Sequence, residues 1–406
     1  MDKLNILAIS YLFPNISQPN HGIFVLNRLN ALSQYANIKV INPIPWSPIH
    51  RYIGKYKALK SVPFHTKQGN LDIYHPRFLS IPKMLKVIEP HSYLYAVNRV
   101  LANELKTYSF DLVDLHWTFP DLPVGVALAH KYNTPVILTL RGLEALHQGD
   151  LGPRKSIVQA NLTKVDHIIA LSNELEEASI SLGAVPSKHT LIRNGVNTTD
   201  FYYKPLDACR NQLNLDPNEK IIVMVGSLIR RKGFDVVIRA LSALKKGNDT
   251  VAQSIKLYII GSEGPEGDFR QHLFQLIEET GIQEQVVFQG PVPNKQLVDW
   301  YNSADLFCLA SRREGSPNVL TEALACGCPA IATDVGAVNE ILLCETTLEH
   351  SIPAGDVEAT RKAISQALNK KYDRQSISNT YQKYSWDWCA KQVLPVYQGV
   401  IKNDKS

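Results

Sequence analysis

Short, predominantly apolar runs alternate with longer amphipathic ones along most of the chain. Residues 4–9, 112–115, 136–140 and 167–171 read as buried strands, and residues 23–34, 122–131 and 173–182 as helices with one apolar stripe. The pattern starts again after residue 220, with strands expected at 221–225, 255–260, 286–288 and 306–309 and helices at 236–244 and 269–280. Strands separated by helical segments imply parallel sheets covered on both faces. There are too many strand candidates for one ordinary open sheet, and the polar stretch 194–220 divides the two series. The expected fold is α/β, with two doubly wound Rossmann-like domains facing across a cleft. Residues 1–200 form the first and residues 201–384 the second, and a terminal helix at about 385–406 returns to the first.

Composition narrows the class. With 45% hydrophobic and 20% charged residues in 406, the chain can bury at least one sizeable core and is not disordered. The opening apolar run is too brief for a signal-peptide core, and no stretch approaches the roughly 18 apolar residues of a membrane span, so a cytoplasmic protein is expected. The cysteines at 209, 308, 326, 328, 344 and 389 lack the paired spacing of a zinc or redox site and are expected to be reduced core thiols.

Charge is uneven. Residues 1–200 carry 20 Lys and Arg against 14 Asp and Glu, a formal +6, whereas residues 201–406 carry 23 against 24. Between Lys39 and Lys86 nine cations face only Asp72 and Glu89 and alternate with large apolar residues such as Trp46, Tyr56, Phe64 and Leu79. This mixture suits an anionic membrane surface, at which the protein docks peripherally, or an anionic acceptor, and equally an ordinary solvated face. No motif of a nucleic-acid-binding module accompanies the charge, so nucleic acid is not an expected partner.

The residues that suggest chemistry lie mostly in the second half, in loops after predicted strands, where open α/β sheets bind ligands. Val223 to Gly233 reads as a buried strand, a turn at Gly226, then Arg230, Arg231 and Lys232 just before a helix, an arrangement that suits phosphate. It contains no P-loop signature. In Ser311 to Gly327, Ser316 is a suitable N-cap, Pro317 suits the first helical position and Gly327 a stop, giving a helix of about ten residues. Backbone amides around Asn318, Val319 and Leu320 would then donate to a diphosphate. Glu314, before that helix, and Glu322, inside it, would bind hydroxyls on opposite sides of the diphosphate.

Taken in order, these segments resemble the retaining glycosyltransferases of family 4, which have the GT-B architecture. The resemblance runs through Phe13-Pro14, Gly22 to Val25, Asp111 to His116, Leu138 to Glu144, Arg193 to Asn197, Gly226 to Gly233, Ile260 to Glu266, Ala304 to Ser311, Glu314 to Glu322 and Ala332 to Glu340. It implies an activated sugar, such as a UDP- or GDP-sugar, as co-substrate, and no resident cofactor. Glu314 would bind the transferred sugar, Glu322 the ribose, the amides of Val319 and Leu320 the diphosphate, and Arg231 and Lys232 the charge of the departing diphosphate. Gly22 would pass close to the donor phosphates, and His116 would face the reacting sugar.

The same resemblance implies transfer without a metal, since no Asp-x-Asp motif is present, and the basic apolar stretch from Lys39 to Lys86 favours a glycan or lipid-linked acceptor, anionic and borne by a membrane, in bacterial surface polysaccharide assembly. Two departures stand out. Ser227 follows Gly226 where an arginine is frequent, leaving Arg231, or else Arg230, for that role. Arg141-Gly142-Leu143-Glu144 replaces the usual His-Gly-x-Asp, so Arg141 and Glu144 are expected on the acceptor side, with Arg141 as a fixed cation. The alternative function is a non-catalytic partner subunit that keeps the nucleotide-sugar pocket. An oxidoreductase or epimerase is disfavoured because no Gly-x-Gly-x-x-Gly follows the first strand.

Overall fold

The computed structural model describes residues 3–48, 54–81, 86–142, 152–247, 252–264, 267–342 and 351–404. Contacts divide the chain into two units, residues 1–195 with 386–406, and residues 196–385. The sequence had placed the boundaries at 200/201 and 384/385.

The first unit contains β1 (Leu4–Ile9), β2 (Ala36–Ile41), β3 (Ile44–Trp46), β4 (His65–Gln68), β5 (Leu71–Tyr74), β6 (Arg77–Leu79), β7 (Leu112–Leu115), β8 (Val136–Leu140), β9 (His167–Ala170) and β10 (His189–Leu191). Eight of these form a sheet in the order β10-β9-β8-β7-β1-β2-β5-β4. Its pairings are parallel except at the β4 edge, which runs antiparallel to β5. β3 and β6 pair separately. The central strands are largely buried on both faces, which is why they read as predominantly apolar runs, interrupted by Asn5, Asp114 and Thr139. The last helix, Trp386–Asp404, packs on the helix Ile23–Leu32. Trp386, Cys389, Val393 and Tyr397 fill the core there, so the tryptophan at its start is a packing anchor.

The second unit contains β11 (Lys220–Val225), β12 (Ile255–Ile260), β13 (Val286–Gly290), β14 (Leu306–Leu309), β15 (Ala330–Thr333) and β16 (Ser351–Ile352). All are parallel, in the order β13-β12-β11-β14-β15-β16. This is the 3-2-1-4-5-6 order of a Rossmann sheet, in which the order of strand addition reverses between β11 and β14. The amphipathic helix Phe234–Lys246 follows β11 and buries Phe234, Val237, Ile238 and Leu241 against it.

Two sequence expectations shift. The helix expected to be capped at Ser316 runs Asn318–Ala325, with Pro317 in the cap position and no side-chain cap bond. Cys326 closes it, and Gly327 follows at φ 74°, the left-handed residue that ends many helices. The five described cysteines are free and buried, and Cys344 lies outside the described residues. Among the described residues no helix is long and apolar enough to cross a membrane.

Candidate functional site

In the second unit the expected residues gather at the carboxyl ends of β11 and β14, on either side of the point where the strand order reverses. β11 ends at Val225, and Gly226 and Gly261 then pass backbone to backbone: a Cβ on Gly261 would lie 1.9 Å from the Gly226 carbonyl oxygen. The chain continues into a short turn, Arg230–Lys232, closed by Gly233 at φ 69°. A Cβ on Gly233 would stand 1.8 Å from the Ala310 oxygen, so only glycine lets this turn lie against the end of β14.

That contact brings Arg231 and Lys232 to Glu314. Lys232 Nζ lies 2.6 Å from Glu314 Oε1, and Arg231 Nη1 lies 3.5 Å from Oε2. Ser311 Oγ donates to the same Oε1 at 2.6 Å. Burial opposes ionisation of Glu314, but Lys232, Ser311 and Arg231 together outweigh it and hold the carboxyl below its ordinary range. Arg231 also donates to the Arg313 carbonyl at 3.0 Å. Arg230 is exposed, and Arg312 is committed to Asp235 by two hydrogen bonds. Arg231 and Lys232 are thus the cations turned towards Glu314.

Glu322 lies within the helix Asn318–Ala325 and accepts a hydrogen bond from Tyr301 Oη at 3.1 Å. Burial pushes its pKa up to about 7, with only that hydroxyl favouring the ionised form. At the start of the helix, Leu320 N–H is taken by the Pro317 carbonyl at 3.1 Å. Of the two amides that the sequence assigned to a diphosphate, Leu320's is therefore engaged, whereas Val319's has no protein acceptor among the described residues. Asn318 opens the same helix.

Tyr301, Ser311 and Gly336 did not stand out in the sequence as site residues. Gly336, at φ 58°, packs against Glu314 and Gly315, where a Cβ would come within 2.6 Å of the Glu314 carbonyl oxygen. Ala337 N–H then bonds the Gly315 carbonyl at 2.8 Å, which holds the loop that presents Glu314. The segment Thr333-Asp334-Val335-Gly336 carried a turn signal for this; nothing in the sequence joined Tyr301 to Glu322.

In the first unit His116 follows β7 directly and Arg141 follows β8. Arg141 is buried rather than presented as an open cation: Nη2 bonds His116 Nδ1 at 2.9 Å and Nη1 bonds Asn194 Oδ1 at 2.9 Å. Its guanidinium is thus turned to His116 and Asn194. His116 is fully buried, with Nε2 3.0 Å from Asp114 Oδ2. Burial, opposed by Asp114 and reinforced by Arg141 and Arg28, lowers its pKa. Gly22, at φ 71°, begins the helix Ile23–Leu32, and a Cβ there would meet Leu12 backbone atoms at 2.6 Å. Its own chain already requires glycine at that position. Glu144 lies outside the described residues.

The basic segment splits in two. Lys39 and Lys86 pair with Asp72 and Glu89, whereas Lys57 and Lys60 make no ion pair among the described residues. These two line a concavity of about 520 Å³ with Trp46, Tyr56 and Leu59. Trp46 and Leu79 are register partners across β3 and β6, and both are about half exposed. Arg51, Tyr52, Lys83 and Met84 lie outside the described residues. Among the described residues no cluster of three or more His, Cys, Asp or Glu could hold a metal ion.

Comparison with known proteins matches segments of both units to glycosyltransferase families. A family model described as "Glycosyl transferases group 1" matches residues 207–384, and one described as "Glycosyltransferase Family 4" matches residues 65–200. TuaC of Bacillus subtilis, a glycosyltransferase assigned to teichuronic acid biosynthesis, is 27% identical over 350 residues, 83% of each chain. The phosphatidylinositol N-acetylglucosaminyltransferase GPI3 subunit of Saccharomyces cerevisiae is 26% identical over 377 residues, covering 83% of this chain and 78% of that one. Among solved structures, sucrose-phosphate synthase from Thermosynechococcus elongatus superposes with a TM-score of 0.78 at 20% identity, over 99% of this chain and all of the other. HepE of Anabaena, solved in complex with UDP, superposes with a TM-score of 0.69 at 16% identity, over 98% of this chain and all of the other.

Proposed function

The chain is a glycosyltransferase of family 4 with the GT-B fold, and from that premise we propose that it is a retaining enzyme that transfers a hexose from a nucleotide sugar to a glycan or lipid-linked acceptor. The observation that carries the reading is the joining of Glu314, Arg231 and Lys232 at the reversal point of the second unit. These residues lie beside the turn into the helix that carries Glu322.

Each residue then has work that its chemistry suits. Glu322 accepts from the ribose hydroxyls. Val319 N–H, at a helix start, donates to the diphosphate. Arg231 and Lys232 stabilise the charge that develops on the leaving diphosphate, which is most valuable where water is excluded. Two fixed cations can do what a bound metal does in other transferases, and the proposed reaction needs none. Glu314 Oε2, not engaged by Ser311 or by Lys232, is available to sugar hydroxyls. In the first unit His116 serves the sugar side, and the acceptor hydroxyl loses its proton to the departing phosphate.

The acceptor in this reading is anionic and borne by a membrane, in assembly of a bacterial surface polysaccharide. The protein acts on the cytoplasmic side. Support comes from the unpaired Lys57 and Lys60 beside half-exposed Trp46, and from the teichuronic acid assignment of TuaC. Incubation of the purified protein with nucleotide sugars and a lipid extract, with and without a chelator, tests the whole reading. Transfer in chelator with retained anomeric configuration is expected. Inversion would refute the retaining mechanism, and a nucleotide-binding protein that transfers to nothing would point to a partner subunit.

A further inference from the structure

We propose that Arg141 is a positioning residue that holds His116 as a neutral imidazole protonated on Nε2, so that His116 donates a hydrogen bond and cannot act as a base. The part that His116 plays towards the sugar rests on the reading above. Its protonation state does not.

The argument begins with donors. A guanidinium has five N–H groups and no acceptor, so the 2.9 Å contact from Arg141 Nη2 obliges His116 Nδ1 to accept. The lone pair of Nδ1 is then occupied, and a neutral ring carries its proton on Nε2. Nε2 lies 3.0 Å from Asp114 Oδ2, and among the described residues it completes no well-aligned hydrogen bond. The same Asp114 oxygen is already taken by Tyr397 Oη at 2.7 Å. The result is a buried N–H without an aligned acceptor.

Protonation of Nδ1 would set two donors head to head and place a second cation against Arg141. The charged and titratable groups facing the ring come from every neighbouring element. Asp114 from β7 favours an imidazolium. Arg141 from β8 and Arg28 from the helix Ile23–Leu32 oppose it, as does burial; Tyr397 and Cys389 face the cluster from the last helix. The opposing effects win, in line with the lowered pKa.

Arg141 is itself held. Its Nη1 bonds Asn194, at the end of the first stretch of this unit, and its guanidinium lies 5.3 Å from the centre of the Phe24 ring. A planar fork that serves His116 with one nitrogen and Asn194 with another has no lysine equivalent. The consequence for the reaction is definite: the proton of the acceptor hydroxyl goes to a group other than His116.

The test is long-range ¹H–¹⁵N NMR of the histidine rings in the full-length protein between pH 5.5 and 8.5, with His116 assigned by a His116→Asn spectrum. Wild type is expected to show Nδ1 bare and Nε2 protonated throughout. Arg141→Met removes the donor that Nδ1 accepts from and leaves Asp114 in place, so His116 should no longer be held in the Nε2-protonated form throughout that window. Arg141→Gln restores a neutral donor and should return the Nε2-protonated form at pH 8. A protonated Nδ1 in wild type, a wild-type ring that titrates in the window, or a Met variant with unchanged ring signals overturns the proposal. If Arg141→Met does not fold, wild type and the Gln variant still decide. An Nε2-protonated ring in a protein without transferase activity would uphold this inference while refuting the function proposed above.

Discussion

Lys232 Nζ and Glu314 Oε1 lie 2.6 Å apart, so a cation assigned to the diphosphate and the carboxylate assigned to the sugar hold each other in the unliganded protein. The pair is mostly buried, with about a sixth of the lysine side chain exposed and less than a tenth of the carboxylate. Removing one partner strands the other.

Lys232→Met should therefore cost stability as well as activity: roughly 1–3 kcal/mol from an under-compensated buried carboxylate, and on the order of 10²–10³ in kcat from lost charge stabilisation. The double variant Lys232→Met/Glu314→Gln should regain much of the stability and none of the activity. Denaturant melts and initial rates on the four proteins of the cycle check this. Additive stability losses would show that the two side chains are not coupled.

Glu322 brings a pH dependence with a defined sign. Its pKa in the folded protein is about 7, raised from 4.5 by burial. The folded state holds the proton more tightly, so stability is highest below the unfolded pKa and declines as pH rises from about 4.5 through 7. Glu322→Gln, which keeps a partner for Tyr301, should match wild type near pH 4 and exceed it by about 1–2 kcal/mol at pH 8. Nucleotide binding should show the opposite trend, weakening below pH 7 in wild type as the ribose acceptor is protonated. A pH-independent difference between the two proteins contradicts the assignment.

Gly336 shapes the site without taking part in it. Gly336→Ala must accommodate a Cβ within 2.6 Å of the Glu314 carbonyl, at a backbone angle alanine disfavours. The expected result is a loss of about 1–3 kcal/mol in stability together with weaker donor binding. Unchanged binding would show that the Glu314 loop does not depend on this contact.

The proposed membrane face is checked by vesicle flotation. Lys57→Glu/Lys60→Glu should abolish salt-sensitive binding to phosphatidylglycerol vesicles and leave nucleotide binding intact. Trp46→Ala should weaken it severalfold. Binding indifferent to all three changes removes the reason for placing the acceptor on a membrane.

Much of this was legible in the sequence because it was written in local signals. β1, β7, β8, β12 and β14 begin and end where predominantly apolar runs predict, since most of their side chains are buried. The turn at Gly233 and the glutamate loop could be read from residue type and spacing. What could not be read depends on contacts distant in the chain. β4, β5 and β6 are short and mixed in polarity, and gain their identity from neighbours. Tyr301 reaches Glu322 from a separate helix, and Arg141 is buried only because His116 and Asn194 accept from it. The N-cap is Pro317 rather than Ser316, and no side-chain bond caps the helix.

The most direct test of the central claim is thermal stabilisation of wild type and Glu322→Ala by a panel of nucleoside diphosphates and nucleotide sugars, with a chelator present. Ligand at about 100 times its Kd adds about 2.7 kcal/mol to the native state, a rise in Tm of about 5 °C for units of this size. The expected result is such a rise with one base, kept in chelator and lost in Glu322→Ala. Equal stabilisation of both proteins, or of neither by any nucleotide, would contradict a donor site built on Glu322 and Glu314.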